Sequence, residues 1–150
     1  LVNRSVHKTP TFIIEPKYAA LLHDVGLLVV SNTLLVKIPY LNRSEMAQYK
    51  RHAASGGNML ENIPCCQDIV PYIRYHHEHW DGSGFPKHLR GANIPLGARI
   101  IAVADYYDMI INPSTEFWAK TKKQAVRELF SSSGLLFDPE VVKAFIEILG

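Results

Sequence analysis

Cysteine is scarce in this chain. There are two among 150 residues, and they are neighbours, Cys65 and Cys66. Adjacent cysteines seldom bridge each other and no spaced framework exists, so the fold is not a disulfide scaffold. A reducing compartment, the cytoplasm, is the expectation, with Cys65 and Cys66 reading as small buried apolar residues. Long apolar runs are also lacking. The longest candidate, Val25 to Val30, falls far short of the ~20 residues a membrane helix needs. No signal-peptide pattern opens the chain. Charge of one sign is missing too: Lys+Arg is 16 against 14 for Asp+Glu, a formal net charge of +2. That balance excludes a DNA or RNA binder working through a basic surface. Internal repeats and low-complexity tracts are absent, and strand-like alternation is scarce.

What is present is long helical periodicity in a chain that is 47% hydrophobic and 20% charged, the balance of a globular domain. The length suits one domain over residues 1–150. Pro16 to about Val25 reads as a helix with Pro16 in its first turn and Gly26 as its stop. Ser44 is placed to cap a helix running to about Leu60, in which Gly56 and Gly57 signal a close approach. Pro64 and Pro71 bracket the start of a helix carrying Tyr72 to about Trp80. A glycine-rich loop follows from Asp81 to Pro95, and Pro95 opens a helix to about Met109. Thr121 and Gln124 make a capping box for a helix ending near Ser133-Gly134. Asp138-Pro139 caps the last helix. The expected fold is all-α, a bundle of about six or more helices.

Seven histidines stand out, three of them within His76–His79. Four clusters of candidate metal ligands lie on or at the ends of expected helices: His23-Asp24, His52, His76-His77 and Asp105. Imidazole and carboxylate together suit divalent ions such as Fe, Mn, Zn or Ni. Asp105 sits in an apolar stretch, where a carboxylate needs a partner. Taken singly, each histidine reads more simply as a hydrogen-bonded core residue, and each aspartate as a cap or ion-pair partner. Arg99 reads as a phosphate contact, or as a residue that pairs with Asp108 or faces solvent. Trp80 and Phe85 read as a docking face or as packing of the loop onto the body.

The segment His76-His-Glu-His-Trp-Asp-Gly-Ser-Gly-Phe-Pro86 resembles the HHExxDGxGYP signature of the HD-GYP family, within the HD phosphohydrolase superfamily. His23-Asp24-Val-Gly26 resembles that family's HDxG, and Lys50-Arg51-His52 its KRH segment. Ile94 to Asp108 resembles IPLxARIxxVADxYD, and Phe137 to Val142 resembles FDPxVV. The likeness runs from about Tyr18 to Leu149. It implies an HD-domain-like helical bundle and hydrolysis of the bacterial messenger cyclic di-GMP to pGpG or GMP. It implies a binuclear divalent centre, Fe or Mn first, with Zn, Ni or Mg as further options. The ligands it implies are His23, Asp24, His52, His76, His77 and Asp105. Asp24 would bridge, with His52, His76 and His77 around one ion and His23 and Asp105 at the other. His23 and Asp24 are the implied catalytic pair. Asp81, Gly82, Gly84, Phe85 and Pro86 are the implied substrate or loop residues, and Glu78 is the implied support of a ligand histidine. A diguanylate cyclase or other signalling domain is the implied protein partner.

Four departures from the family pattern bear on activity. The upstream Glu-x-x-x-His element is not seen in the 22 residues before His23, so the chain is expected to be a fragment of a longer multidomain signalling protein. Leu27 stands where many members carry lysine. The stretch Met109 to Lys120 lacks the family's arginines. Phe85 replaces the tyrosine, keeping the ring and losing the hydroxyl. These losses fall on substrate grip and proton delivery, and they leave a second expectation: a degenerate module that binds a nucleotide or a protein without turnover.

Overall fold

The computed structural model describes residues 11–112 and 119–150, with side chains from residue 16 onward. Eight α-helices occur among the described residues: α1 Thr11–Leu22, α2 Asn32–Leu35, α3 Arg43–Tyr49, α4 Arg51–Leu60, α5 Val70–Tyr75, α6 Leu96–Ile111, α7 Lys122–Ser131 and α8 Pro139–Leu149. Extended pairing among these residues is limited to a single bridge, Ser133 with Phe137. The all-α expectation holds. No helix among the described residues is long and apolar enough to cross a membrane.

Side-chain caps start α2, α3, α7 and α8. Asn42, not Ser44, caps α3: its side chain accepts from the Glu45 N–H at 2.9 Å while Glu45 accepts from the Asn42 N–H at 3.0 Å. This reciprocal box satisfies two orphan donors, which an interior Ser44 cannot do. The expected single helix to Leu60 is two helices, meeting at Lys50. Pro16 lies inside α1 rather than in its first turn, which removes one backbone donor from the helix interior. The expected helix to Trp80 stops at Tyr75. Downstream backbone leaves it for tertiary partners, with Phe85 N–H donating to His77 O and Trp80 N–H to Leu136 O. The Thr121–Gln124 box and the Asp138 cap stand as read.

Two apolar cores share α6. Ile101 packs with Ala19, Leu60, Ile69, Val70 and Ile73. Val103 packs with Leu129, Phe137 and Val142. Asp105 is four residues beyond Ile101, one turn along the same face, and so emerges at the rim of the first core. Arg99 ties the two regions: it donates to Ile94 O at 2.9 Å and to the buried Asp138 carboxylate. That corrects the expected Asp108 pairing. Asp108 lies one turn from Asn112 and accepts from it instead, at 2.8 Å. Cys65 is exposed and Cys66 half-buried, because the turn at Pro64–Cys66 sits at the surface rather than in the core.

Candidate metal centre

The first core brings three helix ends to one place. His23 follows the last residue of α1, His76 follows the last residue of α5, and His52 follows α3 by three residues in the first turn of α4. Each of these rings bends back onto its preceding helix end. His23 Nδ1 lies 2.7 Å from Ala20 O, His52 Nδ1 2.8 Å from Tyr49 O, and His76 Nδ1 2.7 Å from Ile73 O. A carbonyl only accepts, so Nδ1 carries the proton in all three and donates to a carbonyl three residues back. The same contact satisfies an orphan carbonyl at a helix C-terminus. In His52 and His76 it also fixes the tautomer, leaving Nε2 as a lone pair aimed away from the helix; in His23 it aims Nε2 at the carboxylates of Asp24 and Asp105.

Those lone pairs converge. Ligand atoms of Asp24, His52, His76 and His77 all lie within 4.8 Å of one another. Asp24 Oδ1 is 3.3 Å from His52 Nε2 and 3.8 Å from His76 Nε2. His52 Nε2 is 3.0 Å from His77 Nε2. His23 Nε2 stands beside this group, 3.5 Å from Asp24 Oδ2 and 3.5 Å from Asp105 Oδ1. Six residues on four segments, His23, Asp24, His52, His76, His77 and Asp105, therefore come together.

The approach that allows this is glycine-dependent. A Cβ on Gly26 would lie 1.9 Å from His52 O and 2.6 Å from Gly56 N. The turn Val25–Val29 can press onto α4 only without that carbon, and it carries Asp24 with it. Asp24 stands at the N-cap position of the turn, and its carboxylate makes no capping bond, so it is free for the histidines.

The electrostatics follow from burial and partners. Burial alone would raise the Asp24 carboxyl, but the His52 hydrogen bond and the neighbouring His23 charge hold it down at about 2. The Asp105 side-chain hydrogen bond raises His23 to about 9 against the opposing effect of burial. Burial lowers His76 to about 4 and pushes His77 well below the usual histidine range. His52 and His76 are 0% and 1% exposed. His76 Nε2 is buried and has no hydrogen-bond partner among the described residues. A buried polar atom left orphaned costs about 1–3 kcal/mol, and it faces two other imidazole nitrogens and a carboxylate. This donor set fits a divalent ion of the borderline class.

The glycine-rich loop sits against the cluster. Phe85 stacks on His77, with ring centroids 4.7 Å apart and planes inclined by 26°, and the Lys50 ammonium lies 4.8 Å from the Phe85 centroid. Gly84 lets the loop fold back: a Cβ there would meet His79 N at 2.2 Å and His77 O at 2.5 Å. Gly82 turns with a φ of 85°, and the Phe85–Pro86 bond is cis. Asp81 is exposed and accepts from the Ser83 N–H at 2.8 Å, which makes it a turn residue here. Glu78 is 2% exposed, so it does not face solvent. Its carboxylate oxygens accept from the Lys87 N–H at 2.6 Å and the Leu89 N–H at 3.0 Å. Glu78 thus braces the loop, and any support it lends His77 passes through that loop. His79 pairs with Ser83, and His88 is on the exposed loop. His7, and residues 113–118 of the stretch expected to lack arginines, lie outside the described residues. Leu27 is half-buried in the turn after Asp24.

The residues that sequence reasoning missed are Tyr49 and Lys50. Tyr49 supplies the His52 carbonyl partner and lays its ring 4.9 Å from the His52 ring. No spacing in the chain signals it. Lys50 lay within a recognised segment, but its place over Phe85 is a tertiary fact. A cavity of about 230 Å³ flanks the cluster, lined by His76, His77, Asp105, Tyr106, Met109 and Phe137 among others. A larger apolar groove between α6 and α8 touches none of the six residues.

The chain belongs to the HD-domain family, whose profile matches residues 5–141. Within that family it is of the HD-GYP type. A cyclic di-GMP phosphodiesterase of Thermotoga maritima is 37% identical over 139 residues, covering 91% of this chain and 38% of that protein. The cyclic di-GMP phosphodiesterase response regulator RpfG of Xanthomonas campestris pv. campestris is 39% identical over 133 residues, covering 85% of this chain and 34% of that protein. The chain therefore spans less than half the length of these relatives. Among solved structures, a cyclic GMP-AMP specific phosphodiesterase from V. cholerae (V-cGAP3) superposes with a TM-score of 0.66 at 19% identity. That match covers 90% of this chain and 39% of the other, and it establishes the fold.

Proposed function

We propose that this site hydrolyses the phosphodiester bond of a cyclic dinucleotide, cyclic di-GMP first, using divalent metal. The observation that carries the reading is the convergence of the Nε2 atoms of His52, His76 and His77 with Asp24, two of those rings already locked in the ligating tautomer. The names of the relatives from Thermotoga and Xanthomonas supply the substrate. Asp24, His52, His76 and His77 would hold one ion, and His23 and Asp105 would hold a second beside Asp24. Iron or manganese is the first expectation for both, since mixed imidazole and carboxylate ligands suit them. When bound, such cations lower the pKa of water and neutralise charge on phosphoryl oxygens.

The chain's own residues set the stage for that chemistry. The Nδ1 contacts to Ala20, Tyr49 and Ile73 hold three rings in orientation without any metal. The depressed pKa of Asp24 keeps its carboxylate charged at all physiological pH. His23 holds a proton on Nε2 between two carboxylates, the place a second cation would take. The Tyr106, Met109 and Phe137 wall of the adjoining cavity gives a base an apolar surface. A diguanylate cyclase or another signalling domain is the partner this reading calls for.

A second reading rests on Leu27, an apolar side chain in the turn beside Asp24 that can neither donate a proton nor bind phosphate. It describes a module that binds metal and nucleotide without turnover. The test is metal analysis of the purified chain together with chromatographic assay of cyclic di-GMP and cyclic GMP-AMP cleavage. Bound transition metal with linear pGpG or GMP as product is the expected result. Bound metal without cleavage of either nucleotide supports the module. A chain that binds no transition metal overturns both.

A further inference from the structure

Four histidines surround Asp24, and three are anchored alike through an Nδ1–H donated to a carbonyl three residues back. His77 is the exception. Among the described residues its ring makes no hydrogen bond to a carbonyl or carboxylate; its one polar ring contact is His52 Nε2, inside the cluster. Metal-ligating histidines almost always have their second nitrogen held by such a partner, and loss of it costs about 10–100-fold in metal affinity. Something else must hold the His77 ring.

We infer that Phe85 is the positioning residue for His77, its ring replacing by stacking the hydrogen bond that the other three ligands have. The inference rests on the metal-centre reading above. The Phe85 ring lies 4.7 Å from the His77 ring at 26°, near-parallel stacking within the range that favours aromatic pairs. The backbone locks the partners in register: Phe85 N–H donates to His77 O at 3.1 Å. Gly84 permits that approach, since a Cβ would lie 2.5 Å from His77 O. Behind it, the buried Glu78 carboxylate holds the Lys87 and Leu89 backbone, so the loop cannot drift. Lys50 lies over the Phe85 ring, 4.8 Å from its centroid, a cation–π contact that braces the aromatic in place. Stacking uses the ring and not a hydroxyl, so phenylalanine serves here as well as tyrosine would.

The test uses the chain itself with Mn²⁺ as probe. Mn²⁺ affinity is measured by titration for the wild type, Phe85→Tyr and Phe85→Leu, alongside metal-free thermal unfolding. The wild type's His77 ring protons are assigned by NMR in metal-free protein. Phe85→Tyr is expected to bind within about twofold of wild type. Phe85→Leu is expected to bind about 10-fold or more weakly, with metal-free unfolding close to wild type. The His77 ring protons are expected to show the upfield ring-current shift of a stacked aromatic. Equal affinity for wild type and Phe85→Leu overturns the inference and leaves the metal centre standing. Equal loss in Phe85→Tyr and Phe85→Leu also overturns it. Absence of Mn²⁺ binding in the wild type defeats the metal-centre reading instead, and the ring-current shift then decides the stacking by itself.

Discussion

The quartet of Asp24, His52, His76 and His77 and the pair of His23 and Asp105 are built from the same two side-chain types, yet they stand in opposite electrostatic states. In the quartet, burial holds His76 at about 4 and pushes His77 well down, so both rings are neutral. Two Nε2 atoms face each other at 3.0 Å, and a third has no partner. In the pair, the Asp105 hydrogen bond lifts His23 to about 9, so the ring carries its own proton between two carboxylates. The His23 and Asp105 side chains remain 21% and 39% exposed. The quartet thus leaves a buried ligand atom unpaired, while in the pair His23 Nε2 meets two carboxylates. An ion entering the quartet fills a gap in the hydrogen bonding. An ion entering the pair displaces a proton first, so its binding weakens as pH falls. On the proposed two-ion reading, the quartet is expected to load before the pair.

Asp24 joins the halves, with Oδ1 toward His52 and Oδ2 toward His23, so its loss is the largest single effect. Asp24→Asn keeps the shape and removes the charge. Metal affinity should fall by more than ~10²-fold, beyond the loss from an outer-shell change, and cyclic di-GMP hydrolysis should fall with it. Metal analysis of the purified variant checks this. One ion retained at wild-type affinity would mean that the halves are independent. Gly26→Ala comes next, and it acts on the quartet through His52. The added carbon meets the His52 carbonyl at 1.9 Å, so the turn and α4 must part. Overpacking of this kind costs about 1–3 kcal/mol. Denaturant unfolding should show a lowered midpoint, with metal affinity reduced in parallel. A variant indistinguishable from wild type would show the approach to be soft.

The residues of the cluster were legible in the sequence chiefly through the family resemblance, which the His23-Asp24 doublet, the Lys50-Arg51-His52 segment, the His76-His77 doublet and the stretch around Asp105 carry; singly, each reads as a core histidine or a capping aspartate. The doubled glycine at 56–57 announced a close approach, and Gly26 supplies its partner. What was not legible arises where one segment meets another. The α3 cap is an exception, since the Asn42-x-x-Glu45 spacing of its box is local and competes with Ser44 in the sequence. Arg99 found Asp138 rather than Asp108 because α8 begins beside α6. The opposite charge states of His23 and His76 depend on burial and on Asp105, which no local pattern encodes. Phe85 read correctly as a retained ring, but its partner, His77, was set by the fold-back at Gly84.

The smallest expected effect, and the one that most directly compares the halves, is the pH dependence of metal-free stability. The ordinary histidine value is 6.5, and His76 lies below it, at about 4. His77 lies below it as well. As pH falls from 6.5 the unfolded chain therefore takes up protons before the folded one, and stability declines through about pH 4. His23 lies above the ordinary value, at about 9, so its contribution is complete below 6.5 and is lost as pH rises through 9. Asp24, at about 2 against an ordinary 3.8, contributes throughout this range and loses its effect only in stronger acid. The metal-free melting temperature should therefore peak near pH 6.5, with an alkaline limb carried by His23 and an acid limb carried by His76 and His77. Partial exposure screens the His23 limb, and its amplitude should be no more than about 4 °C. His23→Gln should flatten the alkaline limb and leave the acid limb intact. An alkaline limb that persists in His23→Gln would show that the proton resides elsewhere, and the contrast between a cation-seeking quartet and a self-neutralised pair would fail.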